Sequence, residues 1–244
     1  MSIFSCSSLQ ALCLFLLLCL WGGVEATTFT LYNKCPHVVW PGIQPSAGKA
    51  ILARGGFRLQ PRQAVSLRAP AGWSGRIWGR QDCAFDAMGN GRCATGDCGG
   101  LYCNGNGGAP PATLAEITLG AKDFYDVSLV DGYNLAVAIA PVRGSGKCSY
   151  AGCVRDLNQV CPSGLQVRSR DNRVVACKSA CSAFNSPMYC CTGRYGTPQA
   201  CKPTSYSRLF KEACPRAYSY AYDDPTSIAT CAGASYIVTF CPHL

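Results

Sequence analysis

The chain has little or none of several features that would place it in other protein classes. It holds two histidines in 244 residues and no Asn-X-Ser/Thr acceptor, so no N-linked glycan is expected. It has no Lys/Arg-rich block and no recognisable nucleic-acid-binding module, which argues against nucleic acid as a partner. Outside the N-terminus, the only apolar tract, residues 135–141, is of strand length, whereas a membrane helix needs roughly 20 residues. We therefore expect no transmembrane segment.

The N-terminus is typical of a secretory signal peptide. Residues 12–21 are nearly all apolar, and Val24 and Ala26 occupy the −3 and −1 positions before Thr27, although no Lys or Arg precedes the apolar run. We expect residues 1–26 to be removed and the protein to be secreted. Only three residues follow Cys241, so we expect no retrieval signal or lipid anchor.

The exported chain is basic. Its formal charge is +9, and it rises to +10 without residues 1–26, which contain Glu25 and no basic residue. A basic exported protein is attracted to acidic surfaces such as walls, anionic polysaccharide or membranes.

Sixteen of the nineteen cysteines follow the signal segment. An even, dense set of thiols in an exported protein indicates a disulfide framework, but the spacing does not select the pairing. A metal site at Cys93, Cys98 and Cys103 is the alternative; their spacing matches no common zinc motif, and His37 and His243 are distant in sequence. We therefore expect neither a metal nor another cofactor.

Short β-rich runs separated by Gly, Pro and Asn dominate the chain, which favours a β-sandwich or flattened barrel. The predicted strands are residues 28–32, 37–40, 64–68, 75–80, 113–119, 124–130, 133–140, 218–222 and 235–241. Asp131-Gly132 is predicted to join two of them as a hairpin.

Two segments interrupt this pattern and divide the chain into three predicted domains. The β core comprises residues 27–80, 112–147 and 215–244. Residues 81–111, rich in Cys and Gly, form a small loop lobe, and residues 148–214 form a disulfide-rich lobe. In the latter, Tyr206, Leu209, Phe210 and Ala213 have helical spacing, with Thr204 or Ser205 as the cap.

The segment GNGRCATGDCGGLYC, residues 89–103, resembles the signature of the thaumatin-like proteins, plant pathogenesis-related group 5. Further matches span the mature chain, including residues 123–132 (DFYDVSLVDG) and 238–242 (VTFCP). The resemblance implies a flattened β-sandwich core, two lobes held by disulfides, and eight disulfides in all. The implied pairs are Cys35–Cys241, Cys83–Cys93, Cys98–Cys103, Cys148–Cys231, Cys153–Cys214, Cys161–Cys177, Cys181–Cys190 and Cys191–Cys201.

Acidic residues are concentrated in one part of this basic chain. Residues 82–131 contain seven acidic and two basic residues. In residues 113–119, alternation places Ala115 and Ile117 on one face and Glu116 on the other; in the next run, Asp126 lies opposite Tyr125 and Val127. If the apolar faces are core, Glu116 and Asp126 point outward from neighbouring strands and line a negative cleft.

The resemblance implies a cleft built of one Arg, one Glu and three Asp. The matching positions are Arg76, Glu116, Asp126, Asp131 and Asp223. Arg80 is the alternative to Arg76 for the arginine of the cleft, and Asp224 is the alternative to Asp223 for one of its aspartates. Asp131 also fits a plain turn-stabilising role before Gly132. Trp40, Trp73 and Trp78 fit either sugar stacking or the core.

The resemblance further implies a plant defence protein of the antifungal type that is secreted to the apoplast or cell wall. Its acidic cleft would bind β-1,3-glucan of the fungal cell wall, its positive charge would bring it to the fungal wall or membrane surface, and it would be a monomer. Two other functions stay open. One is a weak endo-β-1,3-glucanase, with Glu116 as the acid and Asp126 or Asp131 as its partner. The other is a storage or sweet-tasting protein with no wall target.

Overall fold

The computed structural model describes residues 26–242. The predicted signal peptide, residues 1–26, lies outside the described residues except for Ala26, and so does His243. Strands are numbered β1 to β14 and α-helices α1 to α4 along the described chain. Two five-stranded β-sheets form the centre of the fold, which is mainly β as predicted.

The first sheet joins the two ends of the described chain. In spatial order it consists of β10 (Ala151–Gly152), β9 (Val137–Val142), β14 (Ser235–Phe240), β1 (Thr27–Asn33) and β3 (Ala64–Ala69). β1 and β14 run parallel, with Phe29 opposite Tyr236, and the other pairs are antiparallel. The N-terminal and C-terminal strands are therefore direct neighbours.

The second sheet is antiparallel throughout. In spatial order it consists of β13 (Ala229–Cys231), β8 (Asp123–Ser128), β7 (Leu114–Thr118), β4 (Ser74–Arg80) and β2 (Trp40–Pro45). Except for the two-residue β10, the strands of both sheets come from the segments predicted as the core.

The core lies between the inner faces of the two sheets. Phe29 of β1 packs edge-on against Trp73, with ring centroids 5.2 Å apart, and Tyr125 of β8 contacts Tyr236 of β14 at 5.0 Å. All four side chains are at most 1% exposed. The hydroxyl of Tyr236 donates to Asp123 Oδ2 at 2.7 Å, which satisfies a polar group inside the sandwich.

The loop lobe, residues 81–111, covers one end of the second sheet's outer face. It contains the short strands β5 (Ala84–Phe85) and β6 (Gly91–Arg92). Beneath it Trp78 is fully buried and donates from Nε1 to the carbonyl of Gly96 at 2.8 Å. Gly108 also abuts this indole, since a Cβ there would lie 2.4 Å from Nε1. Trp73 and Trp78 are thus core side chains, which excludes the sugar-stacking alternative for both.

The disulfide-rich lobe, residues 148–214, holds most of the helices. Its strands are β11 (Gln166–Arg168) and β12 (Val174–Cys177), and its helices are α1 (Ala180–Phe184), α2 (Pro187–Cys190) and α3 (Ser205–Ala213). α4 (Asp224–Ser227) follows the lobe. Short 3₁₀ turns occupy Leu52–Gly55, Leu157–Val160, Ser163–Leu165 and Gly193–Tyr195.

The predicted helix is confirmed as α3, and so is its cap. Thr204 Oγ1 accepts from the amide of Ser207 at 3.3 Å, and Ser207 Oγ accepts from the amide of Thr204 at 2.7 Å. This reciprocal pair satisfies two of the amides that a helix N-terminus leaves unpaired.

The hairpin predicted at Asp131-Gly132 is wrong. A turn is present, since the amide of Gly132 donates to Leu129 at 2.9 Å, but β8 and β9 belong to different sheets. After the turn, Tyr133 exchanges backbone hydrogen bonds with Cys177, at 2.7 and 2.8 Å, so its backbone pairs with the disulfide-rich lobe instead of with β8.

The strand predicted over residues 218–222 is also wrong. Only Tyr218 forms a bridge, with Ser128, and the chain then bends towards α4.

The eight disulfides have the pairing that the resemblance implied, from Cys35–Cys241 to Cys191–Cys201. All sixteen cysteines of the described residues are therefore bonded, which leaves no thiolate at Cys93, Cys98 or Cys103 for a metal.

Candidate functional site

A row of polar side chains crosses the outer face of the second sheet. The register sets Gln44 of β2 opposite Arg76 of β4, Arg76 opposite Glu116 of β7, and Glu116 opposite Asp126 of β8. Residues directly opposite each other project from the same face, with Cβ atoms about 5 Å apart. The flanking Ile117 and Tyr125 point the other way and are at most 1% exposed. Alternation therefore predicted the outward direction of Glu116 and Asp126 correctly.

This row is the floor of an open groove, here called the acidic groove. Two cavities overlap at Arg76, Glu116 and Asp126. One continues past Phe124 and Ile228. The other is further lined by Asp131, Asp224, Tyr218, Val130, Ala221, Leu114 and Ser128.

Arg76 and Glu116 form a loose ion pair in the groove. Arg76 Nε lies 3.7 Å from Glu116 Oε1, too far for a hydrogen bond, and the side chains are 43% and 36% exposed. Burial raises the pKa of Glu116; the charge of Asp131 also raises it, and Arg76 opposes both effects. Both groups of the pair thus keep hydrogen-bonding capacity for a ligand.

Asp126 is the most perturbed carboxyl of the groove. Burial, together with the negative charges of Glu116 and Asp224, raises its pKa to about 8. Its Oδ1 is buried and has no hydrogen-bond partner among the described residues. At neutral pH the neutral form of Asp126 predominates, so it can donate a hydrogen bond as well as accept one.

Asp131 lies beside the turn at Gly132, where its backbone carbonyl accepts from the amide of Ala112 at 3.2 Å. Its side chain lines the acidic groove and raises the pKa of Glu116.

Asp223 and Asp224 have different surroundings. Asp223 Oδ2 accepts from Lys211 Nζ at 2.9 Å and from the amide and hydroxyl of Ser219 at 3.0 and 2.8 Å. Asp224 lines the acidic groove and accepts from the hydroxyl of Tyr218 at 3.0 Å. The prediction selected Asp223 for the cleft; the structure instead places Asp224 along the groove and engages Asp223 in an ion pair.

Arg80, the competitor of Arg76, is a structural residue. It is fully buried, and its guanidinium donates to four backbone carbonyls, those of Trp40, Gly100, Leu101 and Pro41, at 2.6–3.2 Å. Burial lowers its pKa to about 10, an effect that Asp97 opposes. Arg76 is therefore the arginine of the groove.

Sequence reasoning missed several residues that line the groove. Phe124 and Ile228 are 45% and 42% exposed, and Tyr218 approaches from the segment before α4. Phe124 could have been found, because alternation along β8 places it on the same face as Asp126. No local sequence pattern predicts a role for Ile228 or Tyr218, because only the tertiary fold brings them to the groove.

Comparisons with known proteins agree with this fold. The Thaumatin family matches residues 33–242. A thaumatin-like protein of Arabidopsis thaliana is 71% identical over 233 residues, covering 94% of this chain and 96% of that protein. The chain belongs to the thaumatin family. Other family members include pathogenesis-related protein 5 of Arabidopsis thaliana, 61% identical over 90% of this chain and 92% of that protein. Membership of this pathogenesis-related group of the thaumatin family supports a role in plant defence.

Two further comparisons are with proteins that are named as β-1,3-glucan hydrolases. A Prunus avium protein named glucan endo-1,3-beta-glucosidase is 50% identical, covering 91% of this chain and 93% of that protein. The β-1,3-glucanase of Paenibacillus barengoltzii has a TM-score of 0.58 at 11% identity, covering 89% of this chain and 75% of that one. At that identity the second comparison shows the fold alone.

Within residues 26–242 no cluster of His, Cys, Asp and Glu has an arrangement that could hold a metal ion. In the same residues no helix is both long and apolar enough to cross a membrane.

Proposed function

We propose that this thaumatin-family member is a secreted antifungal defence protein whose acidic groove binds β-1,3-glucan of the fungal cell wall. The observation that carries the proposal is the row of Arg76, Glu116 and Asp126 on the floor of an open groove. A glucan is neutral and rich in hydroxyls, so it needs both donors and acceptors. Arg76 and neutral Asp126 supply donors, and Glu116 supplies an acceptor.

The rest of the molecule supports delivery to such a target. The chain has a formal charge of +9 although its groove is acidic, so its remaining surface is attracted to the anionic fungal wall or membrane surface. Its eight disulfides suit an oxidising compartment, which is consistent with an apoplastic or cell-wall location. One chain supplies every residue of the groove, so the protein can act as a monomer in this proposal.

Hydrolysis of the bound glucan is the second candidate function. Glycoside hydrolysis requires one protonated carboxyl and one ionised carboxylate on either side of the bond. The pKa of about 8 makes Asp126 the better acid, with Glu116 or Asp131 as base or nucleophile, which reverses the roles expected for Glu116 and Asp126. The family member from Prunus avium named as a glucosidase also favours this activity.

One set of variants tests binding and hydrolysis separately. Sedimentation with insoluble β-1,3-glucan should weaken about tenfold in Asp126→Leu, which loses the hydrogen bonds of a buried group. It should weaken to a similar extent in Glu116→Gln, because a neutral amide oxygen is a weaker acceptor than the Glu116 carboxylate. Asp126→Asn should retain most binding, because an amide also donates and accepts. It should abolish reducing-sugar release from soluble glucan if Asp126 is the acid, because an amide cannot transfer that proton.

Glu212→Gln is the matched control. Glu212 is exposed on α3 and does not line the groove, so this variant removes one carboxylate and should bind as the wild type does. Unchanged sedimentation of both Glu116→Gln and Asp126→Leu would remove the groove from glucan binding. A folded wild type that binds no glucan would favour the storage or sweet-tasting alternative.

A further inference from the structure

A separate cavity, here called the junction cavity, lies where the β core meets both lobes. His37 precedes β2, Gln81 is the first residue of the loop lobe, and Asn158 belongs to the disulfide-rich lobe; all three line it. Its volume is about 320 Å³, within the range of small-molecule sites. The residues that line it are distinct from those of the acidic groove.

Asn158 has a buried acceptor atom that lacks a partner. Its Nδ2 donates to the backbone carbonyl of Asn134 at 2.8 Å, which identifies Oδ1 as the acceptor of this amide. Oδ1 is buried and has no hydrogen-bond partner among the described residues. The side chain of Asn134, by contrast, makes four hydrogen bonds of 2.7–3.1 Å. Because an unpaired buried acceptor costs free energy, Asn158 indicates a place for a donor from a ligand.

Gln81 supplies a second polar atom at the junction cavity. Its Nε2 lies 3.3 Å from Nε2 of His37, and its Oε1 is buried without a partner within residues 26–242. The tautomer of His37 decides whether the amide nitrogen or the amide oxygen faces the ring, so the free atom of Gln81 is an acceptor or a donor. A hydroxyl group both donates and accepts and satisfies Gln81 in either orientation, whereas an ammonium group only donates.

The remaining walls of the junction cavity include apolar side chains and a balanced pair of charges. Leu135 and Cys241 are at most 7% exposed, and Val154 is 43% exposed. Arg155 and Asp156 contribute one charge of each sign. A ligand with an apolar body and neutral polar groups suits this lining better than an ion.

An aromatic alcohol has this combination of surfaces. Its ring can pack against Leu135 and Val154, while its hydroxyl donates to Asn158 Oδ1. A monosaccharide fits less well, because it has hydroxyls around its whole rim. Those that face the apolar walls would lose their hydrogen bonds to water without replacement.

We propose that the junction cavity binds a small neutral phenol, with its hydroxyl at Asn158 and Gln81 and its ring against Leu135 and Val154. Such a ligand contacts the β core and both lobes at once. It belongs to a different chemical class from the glucan proposed for the acidic groove, and the two sites are independent.

A nuclear magnetic resonance titration of the disulfide-bonded protein with 4-methylphenol at pH 6 tests the proposal. The amide signals of Leu135 and Asn158 should shift and reach saturation. 4-Methylanisole has the same ring but no donor, so it should bind about fivefold more weakly, as expected for the loss of one hydrogen bond. D-Glucose should bind more weakly than either. The absence of saturable shifts with 4-methylphenol, or equal affinity for 4-methylanisole or D-glucose, would overturn the proposal.

Variants of the cavity walls locate the bound phenol. Asn158→Leu should weaken 4-methylphenol binding about fivefold. Val154→Trp removes no side-chain hydrogen bond, and its larger side chain should fill the cavity and abolish binding. Val160→Trp is the matched control, because Val160 is 48% exposed and lies outside the cavity lining; it should bind as the wild type does. Full binding by Val154→Trp, or its loss in Glu116→Gln, would place the phenol elsewhere and overturn the proposal.

Discussion

At the residue scale, Asp126 shows how the fold changes the chemistry of one side chain. It faces outward from β8, yet Glu116 on β7 and Asp224 on α4 bring two further carboxyl groups close to it. Ionising Asp126 would create a negative charge that is poorly solvated and close to two others. The raised pKa avoids this cost at neutral pH by keeping the proton on the carboxyl group.

This shift makes folding stability depend on pH. Because the pKa of Asp126 rises from its ordinary value of 3.8 to about 8 on folding, the native state holds a proton that the unfolded state releases between those values. The free energy of unfolding should therefore fall as pH rises from about 4 to about 8. Glu116, whose pKa is also raised, adds a change of the same sign.

Asp126→Asn removes the largest part of this dependence. Its melting temperature should exceed that of the wild type by a few degrees at pH 8 and match it near pH 4, because at the lower pH both side chains are neutral. Calorimetry across this range measures the difference. Asp171→Asn is the control, because Asp171 is exposed and its pKa, which hydrogen bonds from Ser169 and Arg173 lower to about 2, lies below this range. A wild-type curve that rises between pH 5 and pH 8 in parallel with that of Asp126→Asn would contradict the assignment.

Much of the groove could be predicted residue by residue, and the exceptions have a common cause. Alternation alone gave the outward direction of Glu116 and Asp126. The choice between Asp223 and Asp224 could not be made that way, since it depends on Lys211 from α3 drawing one carboxylate away. The raised pKa of Asp126 could not be predicted from the sequence either, because it depends on the register that sets Glu116 of β7 opposite Asp126 of β8.

At the scale of the element, β4 shows how one strand face serves two purposes. Arg76, Trp78 and Arg80 alternate along the same outer face, so the local pattern gives them equivalent positions. The loop lobe covers only the end that carries Trp78 and Arg80. It leaves Arg76 in the open groove, and so the two arginines differ through what packs over them.

Arg80 holds the loop lobe on the sheet, and a lysine should not replace it. Arg80→Lys should lower the free energy of unfolding by about 3 kcal/mol. The planar guanidinium donates to backbone carbonyls on two sides, and a single ammonium group cannot reach all of them. The carbonyls that lose their donor would stay buried without a hydrogen bond. Denaturant unfolding with the disulfides intact measures the loss. Arg76→Lys, in the open groove, should change stability by less than about 0.5 kcal/mol. Equal losses in the two variants would show that Arg80 is not the structural residue described above.

Elements with a strong local signal were predicted well, and connections were not. The strand containing Glu116 and the capped helix α3 were expected within a residue or two of their observed bounds. The Asp131-Gly132 turn was correctly located, but the hairpin predicted from it was wrong. An Asp-Gly turn does not reveal whether the next strand returns to the same sheet. That depends on Tyr133 pairing with Cys177, distant in sequence.

At the scale of the whole molecule, the fold depends on contacts between parts of the chain that are far apart in sequence. β1 and β14 lie side by side, and Cys35–Cys241 joins the segments that follow them across a separation of 206 residues. The disulfide pairing came from the family resemblance, because the number and spacing of cysteines are compatible with many pairings.

The long-range disulfide should therefore contribute more stability than a local one. In the chain-entropy description a disulfide stabilises by restricting the unfolded chain, and its effect grows with the logarithm of the loop it closes. Replacing Cys35 and Cys241 together by Ala should cost about 5 kcal/mol, whereas replacing Cys98 and Cys103, separated by 5 residues, should cost about 2 kcal/mol.

Equilibrium unfolding of the two double variants, with the other seven disulfides intact, measures this difference. The ordering is the informative result, because both pairs are buried and each replacement removes two sulfur atoms. A larger loss from the Cys98–Cys103 pair would show that the local packing of the loop lobe around Trp78 contributes more than closure of the long loop. The expected ordering would support the chain-entropy account, in which the Cys35–Cys241 cross-link stabilises the sandwich by restricting the unfolded chain over the longest loop.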